Sequence, residues 1–568
     1  MSMSDFARRV SALTPEQRRL LELQLQGRGI HLSQLQTAAP PETSQALTPD
    51  CLHHLFETQV EQTADSIALV YADTQLSYRQ LNTRANQLAH YLQSLGLKPG
   101  EPIAVRLERS IELVVSLLAI LKAGGTCVPL DTAEPTNRSL HNLKDSSLSR
   151  LITHSTEEPL SAHFNPIYLD EIQPTLAQQP QHNPVAGATP AHLACLLYPD
   201  SRPLAVEHRA LSRGLQALQA RYPLTGTDTI LHKAPLATNI ALWEIFWPLV
   251  SGSRLVIAPG RTEVAAPTLL NLAIQQKVTL LHLAPSELSA LAAINRKEWP
   301  STLRCVISSG EPLPQAVVDA FLPDATRLDY AYAPPETAAP VTFQSCRAGE
   351  IWETVPVGLP VEASVYVLDR HLKLVPVGVT GEIYISETAL ACGEGPAASR
   401  PELVADPFAT TPGQSLFKTG ERGRWLTGGI LELAAGEQVW VRGRRFRPDE
   451  VTAVLLQEPS VQECTVLVRQ TRTGTQQLVA YIVPAGPFQP ERLTTYLQTE
   501  LTPAMQPDTY IAVSTLPLTN AGQIDTETLF ALEAVDLELA RDWEAQLQSL
   551  PAIEQVAVVI EAHRALLP

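Results

Sequence analysis

Residues 193–211 read LACLLYPDSRPLAVEHRAL, and this stretch decides how the rest of the chain is interpreted. An apolar run leads into a turn that carries Pro199 and Pro203, and a charged Glu-His-Arg segment follows. A loop that grips a triphosphate needs glycines, which let backbone N–H groups turn toward the phosphate oxygens. This turn contains no glycine and no lysine, and proline has no backbone N–H. The sequence therefore predicts a connection that does not cradle a phosphate chain.

The composition limits the class of protein. The chain has 568 residues, which suggests roughly three or four structural units at about 150 residues each. Its formal net charge of −17 argues against a surface for nucleic acid or an anionic membrane, because both need a basic footprint. No segment reaches about 18 consecutive apolar residues, and residues 1–13 lack the apolar run of a signal peptide. We expect a cytoplasmic protein that binds neither nucleic acid nor membrane.

Seven cysteines are scattered along the chain, at positions 51, 127, 195, 305, 346, 392 and 464. No two of them form a CxxC pair. We also expect none of them to combine with histidines at the spacing of metal ligands. Buried thiols in a reducing cytosol are the expectation. The sequence therefore predicts no metal site.

Three longer segments carry a resemblance to a known family. Residues 76–100 begin with an L-S-Y-x-x-L motif, residues 110–131 read SIELVVSLLAILKAGGTCVPLD, and residues 243–249 read WEIFWPL. These segments resemble motifs of the adenylation domains of nonribosomal peptide synthetases, which are adenylate-forming (AMP-binding) enzymes. The resemblance runs from Cys51 to about Leu529. It implies an α/β fold with a large multi-layer N-terminal subdomain and a small α+β C-terminal subdomain.

Four regions are expected on this basis. Residues 1–45 are predicted to form an N-terminal helix, packed on the body or docking between modules, and a linker. Residues 46–430 are predicted to form the large subdomain and residues 431–533 the small one. Residues 534–568 are predicted to add a helix and a strand, because DWEAQLQSLPAIEQVAVVI resembles EVTAVLLQEPSVQECTVLV in the small subdomain. Chance similarity between two helix–strand units is the alternative.

In the family, the strand that matches residues 193–198 leads into a glycine- and lysine-bearing phosphate loop. Tyr198 and residues 206–209 match the two sides of that loop, whereas the loop itself has no counterpart here. The resemblance therefore implies an adenylation fold from which the triphosphate grip is deleted. His208 belongs to the matched flank and is interpreted as structural.

The match at WEIFWPL shows which residues of this chain correspond to the acyl-binding side of the family's site. Asn239 stands where amino-acid-activating members of the family carry an aspartate that holds the substrate ammonium. Asparagine supplies no charge, and charge-assisted hydrogen bonds are roughly twice as strong as neutral ones. Some members that activate aryl acids also carry asparagine here. Asn239 and Trp243 are predicted to mark a remnant acyl pocket, with a polar residue filling a redundant pocket as the alternative.

Residues 328–340, LDYAYAPPETAAP, resemble the family motif L-x-N-x-Y-G-P-T-E and concern the nucleotide side. The resemblance implies that Tyr332 lies against adenine and that Glu336 serves magnesium, whereas Pro335 replaces the threonine that touches the α-phosphate. Further on, Glu421 stands where the family has an aspartate that accepts both ribose hydroxyls. Its extra methylene moves the carboxylate by about 1 to 1.5 Å, which spoils a bidentate fit. These residues are predicted to be remnants of a nucleotide site.

The hinge and the catalytic lysine of the family are also altered. Residues 428–443, GGILELAAGEQVWVRG, are shorter than the hinge motif, and its ribose-contacting arginine and hinge aspartate have no counterpart here. A shortened hinge is expected to hinder rotation of the small subdomain. Gln523 occupies the position of the lysine that neutralises charge in the transition state. Losing one such group usually costs on the order of 100- to 1000-fold in rate.

Together these losses predict a catalytically impaired pseudo-adenylation domain of a nonribosomal peptide or hybrid polyketide assembly line. It would act as a structural or docking element toward a carrier protein or neighbouring synthetase modules, with no catalytic residue and no cofactor. The alternative is a divergent ligase that uses ATP and magnesium to activate an amino, aryl or other carboxylic acid for a carrier-protein phosphopantetheine thiol. A third hypothesis is a binding module that holds a small acid near Asn239 and Trp243 without activating it.

Overall fold

A computed structural model describes residues 50–531 with internal gaps, and the chain divides into two compact units that meet between Arg445 and Phe446. The helix and linker predicted at 1–45, the helix–strand unit predicted at 534–568 and Gln523 lie outside the described residues. The subdomain boundary predicted between 430 and 431 stays a prediction. The gaps are residues 133–147, 158–163, 199–202, 261–264, 293, 295–298, 323–326, 351, 353, 362–363, 387–389, 391–402, 410–412, 435–438, 442–443, 447, 471–475, 487, 502–504, 518–523 and 525.

Unit 1, up to Arg445, alternates helices and strands. Its helices are α1 (Leu52–Thr63), α2 (Tyr78–Ser94), α3 (Ile111–Ala123), α4 (Leu169–Leu176), α5 (His208–Arg221), α6 (Asn239–Val250), α7 (Ala266–Gln275), α8 (Pro285–Ala292) and α9 (Gln315–Phe321). Its strands, the last of which reaches the boundary, are β1 (Ile67–Tyr71), β2 (Thr74–Ser77), β3 (Pro102–Val105), β4 (Thr126–Pro129), β5 (Arg150–Thr153), β6 (Asn165–Tyr168), β7 (Leu193–Leu197), β8 (Leu204–Glu207), β9 (Thr229–His232), β10 (Arg254–Ile257), β11 (Leu280–Leu283), β12 (Cys305–Ser309), β13 (Arg327–Tyr332), β14 (Thr342–Ser345), β15 (Leu359–Pro360), β16 (Val365–Leu368), β17 (Gly381–Ser386), β18 (Leu403–Ala405), β19 (Ser415–Trp425), β20 (Leu431–Leu433), β21 (Val439–Val441) and β22 (Arg444–Phe446).

The largest sheet of unit 1 has nine strands in the order β15-β14-β13-β12-β11-β9-β10-β1-β2. The strands from β13 to β1 in this order run parallel, and antiparallel strands close both edges. The runs LLHL in β11 and CVISS in β12 are buried along their whole length, as expected for parallel strands covered on both faces. The carboxyl ends of such strands form the edge at which open α/β sheets bind ligands.

A second sheet has six strands in the order β6-β5-β3-β4-β7-β8, and all its pairs are parallel except β7 with β8. One continuous apolar core includes buried side chains from both sheets and from α1, α2, α3, α5 and α6. The layered α/β arrangement of the large subdomain, predicted from the sequence, is confirmed.

The segment that resembles the family at residues 110–131 forms α3 and β4 with clear local causes. The Ser110 hydroxyl accepts a hydrogen bond from the Leu113 N–H at 3.2 Å and caps the start of the helix. The helix ends at Gly124, whose φ of 90° lies in the left-handed region. A Cβ at this position would lie 2.1 Å from the Ala186 carbonyl oxygen. Glycine is therefore required both by the backbone conformation and by the close approach of a neighbouring chain segment.

A third sheet is antiparallel, with the order β16-β17-β19-β18 and β20 paired to β19. Its strand β19 is 11 residues long and carries Glu421. Strands β21 and β22 pair with each other near the end of unit 1.

Unit 2, from Phe446 onward, is a small α+β unit, as predicted. Strands β23 and β24 are antiparallel and β24 and β25 are parallel, and Val479 and Tyr481 pack with Leu529 in its core. No helix among the residues that the structure describes is long and apolar enough to cross a membrane. The elements of unit 2 are α10 (Pro448–Leu455), β23 (Val461–Gln470), β24 (Gln476–Pro484), α11 (Pro490–Glu500), β25 (Thr509–Ala512) and α12 (Thr526–Ala531).

Candidate functional site

The candidate site lies where β9 and β13 of the nine-stranded sheet end. Tyr332 is the last residue of β13, and Asn239 is the first residue of α6, which follows β9 in the chain. Glu421 comes from β19 of the antiparallel sheet. The fold thus brings residues that are far apart in the sequence to one edge of the large sheet, which is the edge that ligands use in open α/β sheets.

Tyr332 and Glu421 are bonded directly to each other. The hydroxyl of Tyr332 donates a hydrogen bond to a carboxylate oxygen of Glu421, and Tyr332 is only 4% exposed. The resemblance assigned Tyr332 to adenine and Glu421 to the ribose hydroxyls. In the structure the glutamate reaches the tyrosine, so the carboxylate expected to meet ribose already has a partner within the protein.

Tyr330 occupies the same face of β13 as Tyr332, because side chains two residues apart on a strand point the same way. It is buried, and its hydroxyl donates to the carbonyl oxygen of Glu311 over 2.7 Å. Burial raises the pKa of the Tyr330 hydroxyl, and the carboxylates of Glu421 and Glu311 act in the same direction. Two tyrosines therefore fill a strand face where the family motif has one tyrosine and a smaller asparagine.

The side chain of Asn239 holds a neighbouring turn. Its Nδ2 donates hydrogen bonds to the carbonyl oxygens of Pro334, at 3.0 Å, and Thr337, at 2.9 Å, and Asn239 is 5% exposed. An aspartate carboxylate only accepts hydrogen bonds and has no N–H to donate. The amide is therefore committed to the backbone of this turn, and asparagine is the residue type that the turn needs.

The same turn contains the position of the missing α-phosphate threonine. Pro335 stands at that position, and Glu336 beside it is half-buried. Thr337 carries the nearest hydroxyl in the sequence, but its Oγ1 donates to the carbonyl oxygen of Pro334 over 2.8 Å and the residue is fully buried. Thr337 therefore does not take over the role of the missing threonine.

Trp243, predicted to mark the acyl pocket, is a core residue. It is 1% exposed, and its ring meets the ring of His282 edge to face at 5.3 Å between centroids. Burial, with help from Lys233, lowers the pKa of His282 to about 4. This part of the site is therefore a packed cluster of a tryptophan and a neutral histidine.

Glu244 organises the loop between β9 and α6, although its role was not predicted from the sequence. Its carboxylate accepts hydrogen bonds from His232 Nδ1 at 2.9 Å and from the backbone N–H groups of Lys233 at 3.0 Å and Ala234 at 2.9 Å. Burial alone would raise the pKa of Glu244, but the His232 hydrogen bond and the nearby positive charges lower it to about 2. A single carboxylate inside the apolar helix NIALWEIFWPLV was the available signal, because buried charges are found with partners.

The hairpin of β7 and β8 stands where the family has its phosphate loop. Leu197 lies opposite Leu204 in the antiparallel pair, so only residues 198–203 join the two strands. Tyr198 is buried, whereas residues 199–202 lie outside the described part of the chain. Helix α5 begins directly after β8, at His208. The short connection fits the prediction that the loop is deleted.

The structure also tests the prediction about cysteines. The six that it describes are free and buried, as expected for structural thiols. The expectation that no cysteine lies beside histidines at metal-ligand spacing overlooked the run CLHH at residues 51–54. There, Cys51, His53 and His54 each present a possible ligand atom within 4.8 Å of the other two. The spacing is shorter than that of common zinc motifs, which is why the sequence pattern did not reveal it.

Comparisons with known proteins agree with this architecture. A model of the AMP-binding enzyme family matches residues 56–393, and a model of the AMP-binding enzyme C-terminal domain matches residues 450–523. An artificially fused adenylation-PCP di-domain nonribosomal peptide synthetase from Klebsiella oxytoca, NpsA-ThdA, has a similar structure, with a TM-score of 0.73 and 19% sequence identity. The similarity covers 90% of this chain and 91% of that one.

Sequence relatives include large synthetases. Tyrocidine synthase 3 from Brevibacillus parabrevis is 32% identical over 531 residues, which cover 89% of this chain and 8% of that protein. Zwittermicin A synthase ZmaJ from Bacillus cereus is 31% identical over 507 residues, which cover 85% of this chain and 95% of that protein. The chain spans between 8% and 42% of the length of three of the large synthetases that it matches. The chain therefore belongs to the AMP-binding enzyme family, as an adenylation domain of the nonribosomal peptide synthetase type.

Proposed function

We propose that this adenylation domain is a pseudoenzyme that serves as a structural or docking element of a peptide or hybrid polyketide assembly line. The observation that carries the proposal is the hydrogen bond from Tyr332 to the carboxylate of Glu421. In an adenylating site these two groups face the nucleoside. Here they bond to each other, so a nucleoside must break this partly buried contact before it binds.

The phosphate side of the site supports the same conclusion. Pro335 has no hydroxyl or N–H, the hydroxyl of Thr337 is turned to its own backbone, and the β7–β8 connection carries no glycine or lysine. A hydrogen bond to a charged group contributes about 1.5 to 3 kcal/mol. A ligand with micromolar affinity has a binding free energy of about 8 kcal/mol. Three or four such losses remove an amount comparable to the whole affinity, so the residues present do not fit a bound ATP.

The acyl side of the site supports the proposal as well. The Asn239 amide is engaged with two backbone carbonyls, and Trp243 is packed in the core. Neither residue offers a charged group that would hold a substrate ammonium. The function that remains for such a scaffold is to provide a docking surface for another protein. The similarity to an adenylation-PCP di-domain protein and to much longer synthetases supports a carrier protein or a neighbouring module as the partner.

Titration calorimetry of the full chain with ATP and Mg²⁺ is expected to give no saturable heat, and pyrophosphate exchange is expected to be absent with amino and aryl acids. The Glu421→Asp variant shortens the side chain that reaches Tyr332 and restores the residue that the family carries. It is expected to stay silent too, because the phosphate side still lacks its donors. A carrier protein or module fragment from the same assembly line is expected to bind the chain in a pull-down.

Two results would contradict this proposal. Saturable ATP binding together with carboxylate-dependent pyrophosphate exchange in the unaltered chain would identify an active, divergent ligase. Binding of a carboxylic acid without ATP, and without any carrier protein or module, would favour a module that only holds a small acid. A matched active adenylation domain, assayed beside this chain, controls for the sensitivity of both measurements.

A further inference from the structure

The start of α1 carries a group of potential metal ligands that the adenylation reaction does not use. One ligand atom from each of Cys51, His53 and His54 lies within 4.8 Å of the other two, and the two histidine rings are 4.2 Å apart between centroids. His53 is 1% exposed, and neither of its ring nitrogens has a hydrogen-bond partner among the described residues. Buried polar groups in native proteins almost always have partners, so an unpartnered, buried imidazole points to a missing ligand.

His54 is oriented for metal binding by its neighbour Asp50. The Nδ1 of His54 lies 2.9 Å from Oδ1 of Asp50, which leaves its Nε2 for a metal. A carboxylate that holds the second nitrogen of a histidine is the usual outer partner of a metal-binding imidazole. The same Asp50 oxygen accepts the backbone N–H of Cys51 at 2.6 Å. Asp50 thus fixes two of the three residues.

His208 closes the site from the side of α5 but is not a ligand itself. Its Nδ1 accepts the backbone N–H of Leu52 at 3.1 Å, so in the neutral ring the proton is on Nε2 and that nitrogen has no lone pair for a metal. Its ring meets that of His53 edge to face at 5.6 Å between centroids.

We propose that Cys51, His53 and His54 bind a zinc ion, with a water molecule in the fourth position. Thiolate and imidazole are the ligands that zinc prefers, in a tetrahedral set. The thiol of Cys51 now faces the Ala188 carbonyl oxygen at 3.7 Å. On binding, zinc forms a bond to sulfur and the thiol proton passes to solvent, so one proton is released.

The location gives this site a structural role. A bound zinc ion clamps the first turn of α1 beside the start of α5 and the backbone at Ala188, three segments that are far apart in the chain. The exposed edge of the site provides an entry path, because the side chains of His54 and Asp50 are about half-exposed. The zinc site does not depend on whether the nucleotide site is active.

The test uses the full chain without a histidine tag, stripped of metal with a chelator. Titration with Co²⁺ is expected to give one equivalent bound, a thiolate-to-cobalt charge-transfer band and the visible bands of tetrahedral cobalt. Zn²⁺ is expected to displace the cobalt and to raise the Tm, since it binds only the folded chain. His54→Gln alters a half-exposed residue and is expected to keep the fold, yet to weaken zinc affinity by about 100-fold, the upper end of what losing even an outer partner costs. Cys51→Ser is expected to lose the charge-transfer band.

Two control variants lie within the same chain. Cys464 is another buried thiol that faces a backbone carbonyl, that of Thr452 at 3.6 Å, and Cys464→Ser is expected to bind cobalt as the unaltered chain does. His90 forms a surface histidine pair with His182, and His90→Gln is likewise expected to have no effect. The proposal is overturned if the unaltered chain binds no stoichiometric metal, or if His54→Gln and Cys51→Ser bind it with unchanged affinity.

Discussion

Replacing Glu244 with glutamine is expected to lower the free energy of unfolding by about 3–5 kcal/mol, the cost of breaking a buried charged contact. The carboxylate is completely buried and accepts hydrogen bonds from His232 and from the backbone N–H groups of Lys233 and Ala234. All three donors reach the same oxygen, Oε2. A glutamine can place its one acceptor oxygen there, but it loses the charge that strengthens these bonds. Its amide N–H groups then take the place of the buried Oε1, which has no hydrogen-bond partner among the described residues. Urea denaturation followed by circular dichroism measures the effect.

A surface variant provides the control for Glu244→Gln. Glu432 pairs with Arg424, whose side chain is 45% exposed, and such exposed pairs contribute about 0–1 kcal/mol. Glu432→Gln is therefore expected to leave the free energy of unfolding nearly unchanged. If Glu244→Gln were as mild as this control, the buried carboxylate would not hold the β9–α6 loop.

The same carboxylate predicts how stability depends on pH. The pKa of Glu244 is lowered from its ordinary value of 4.5 to about 2 in the folded chain. A carboxyl whose pKa is depressed by folding stabilises the folded state above its unfolded pKa, and this contribution is lost as the pH falls through the folded pKa. The unaltered chain is expected to lose stability between pH 4.5 and about 2. Glu244→Gln is expected to show a shallower loss over that interval in acid titrations of its unfolding free energy.

Restoring the aspartate of the family at position 239 is expected to damage the site and not to create an amino-acid pocket. Asn239→Asp replaces an amide that donates to two backbone carbonyls by a carboxylate that faces the same oxygens. Two buried hydrogen bonds are lost and an unpaired negative charge is buried, for a cost of about 3–5 kcal/mol. Denaturant unfolding measures the cost, and calorimetry with amino acids is expected to remain silent.

Asn165 offers a matched control, because it is exposed at the start of β6. Asn165→Asp makes the same chemical change without burying it, and surface substitutions of this kind usually change stability by less than about 0.5 kcal/mol. A gain of amino-acid binding by Asn239→Asp, with unchanged stability, would contradict the assignment of Asn239 to the turn at 334–337.

The fold was predictable because its signals are local. The capping serine and terminal glycine of α3 and the mostly apolar, buried runs of β11 and β12 all lie within the elements that they specify or directly beside them. Packing motifs of this kind survive changes at the site, because burying an apolar face does not depend on which ligand the protein binds. The two-part α/β architecture predicted from the sequence is therefore confirmed.

The site was only partly predictable, because its contacts join distant parts of the chain. Tyr332 and Glu421 were each recognised by resemblance, but nothing local indicates that two residues 89 positions apart bond to each other. Asn239 was predicted to mark a remnant acyl pocket, or to be a polar residue that fills a redundant one. Its hydrogen bonds to carbonyl oxygens 95 and 98 positions away, which hold a turn, have no local signal in the sequence. Glu244 lies within the motif WEIFWPL, which was used only to recognise the family, so its carboxylate was overlooked.

The hairpin of β7 and β8 is a place where evolution or protein engineering can change the length of the chain. Its strands pair up to Leu197 and Leu204, so the sheet continues regardless of what joins these two residues. Loop-closure entropy grows slowly with length, and doubling a flexible connection costs only about 0.6 kcal/mol. Extending this segment with a flexible insertion is therefore expected to be nearly neutral for folding, so a longer loop can be gained or lost here without loss of the scaffold. The hairpin is therefore a suitable place to graft a foreign loop.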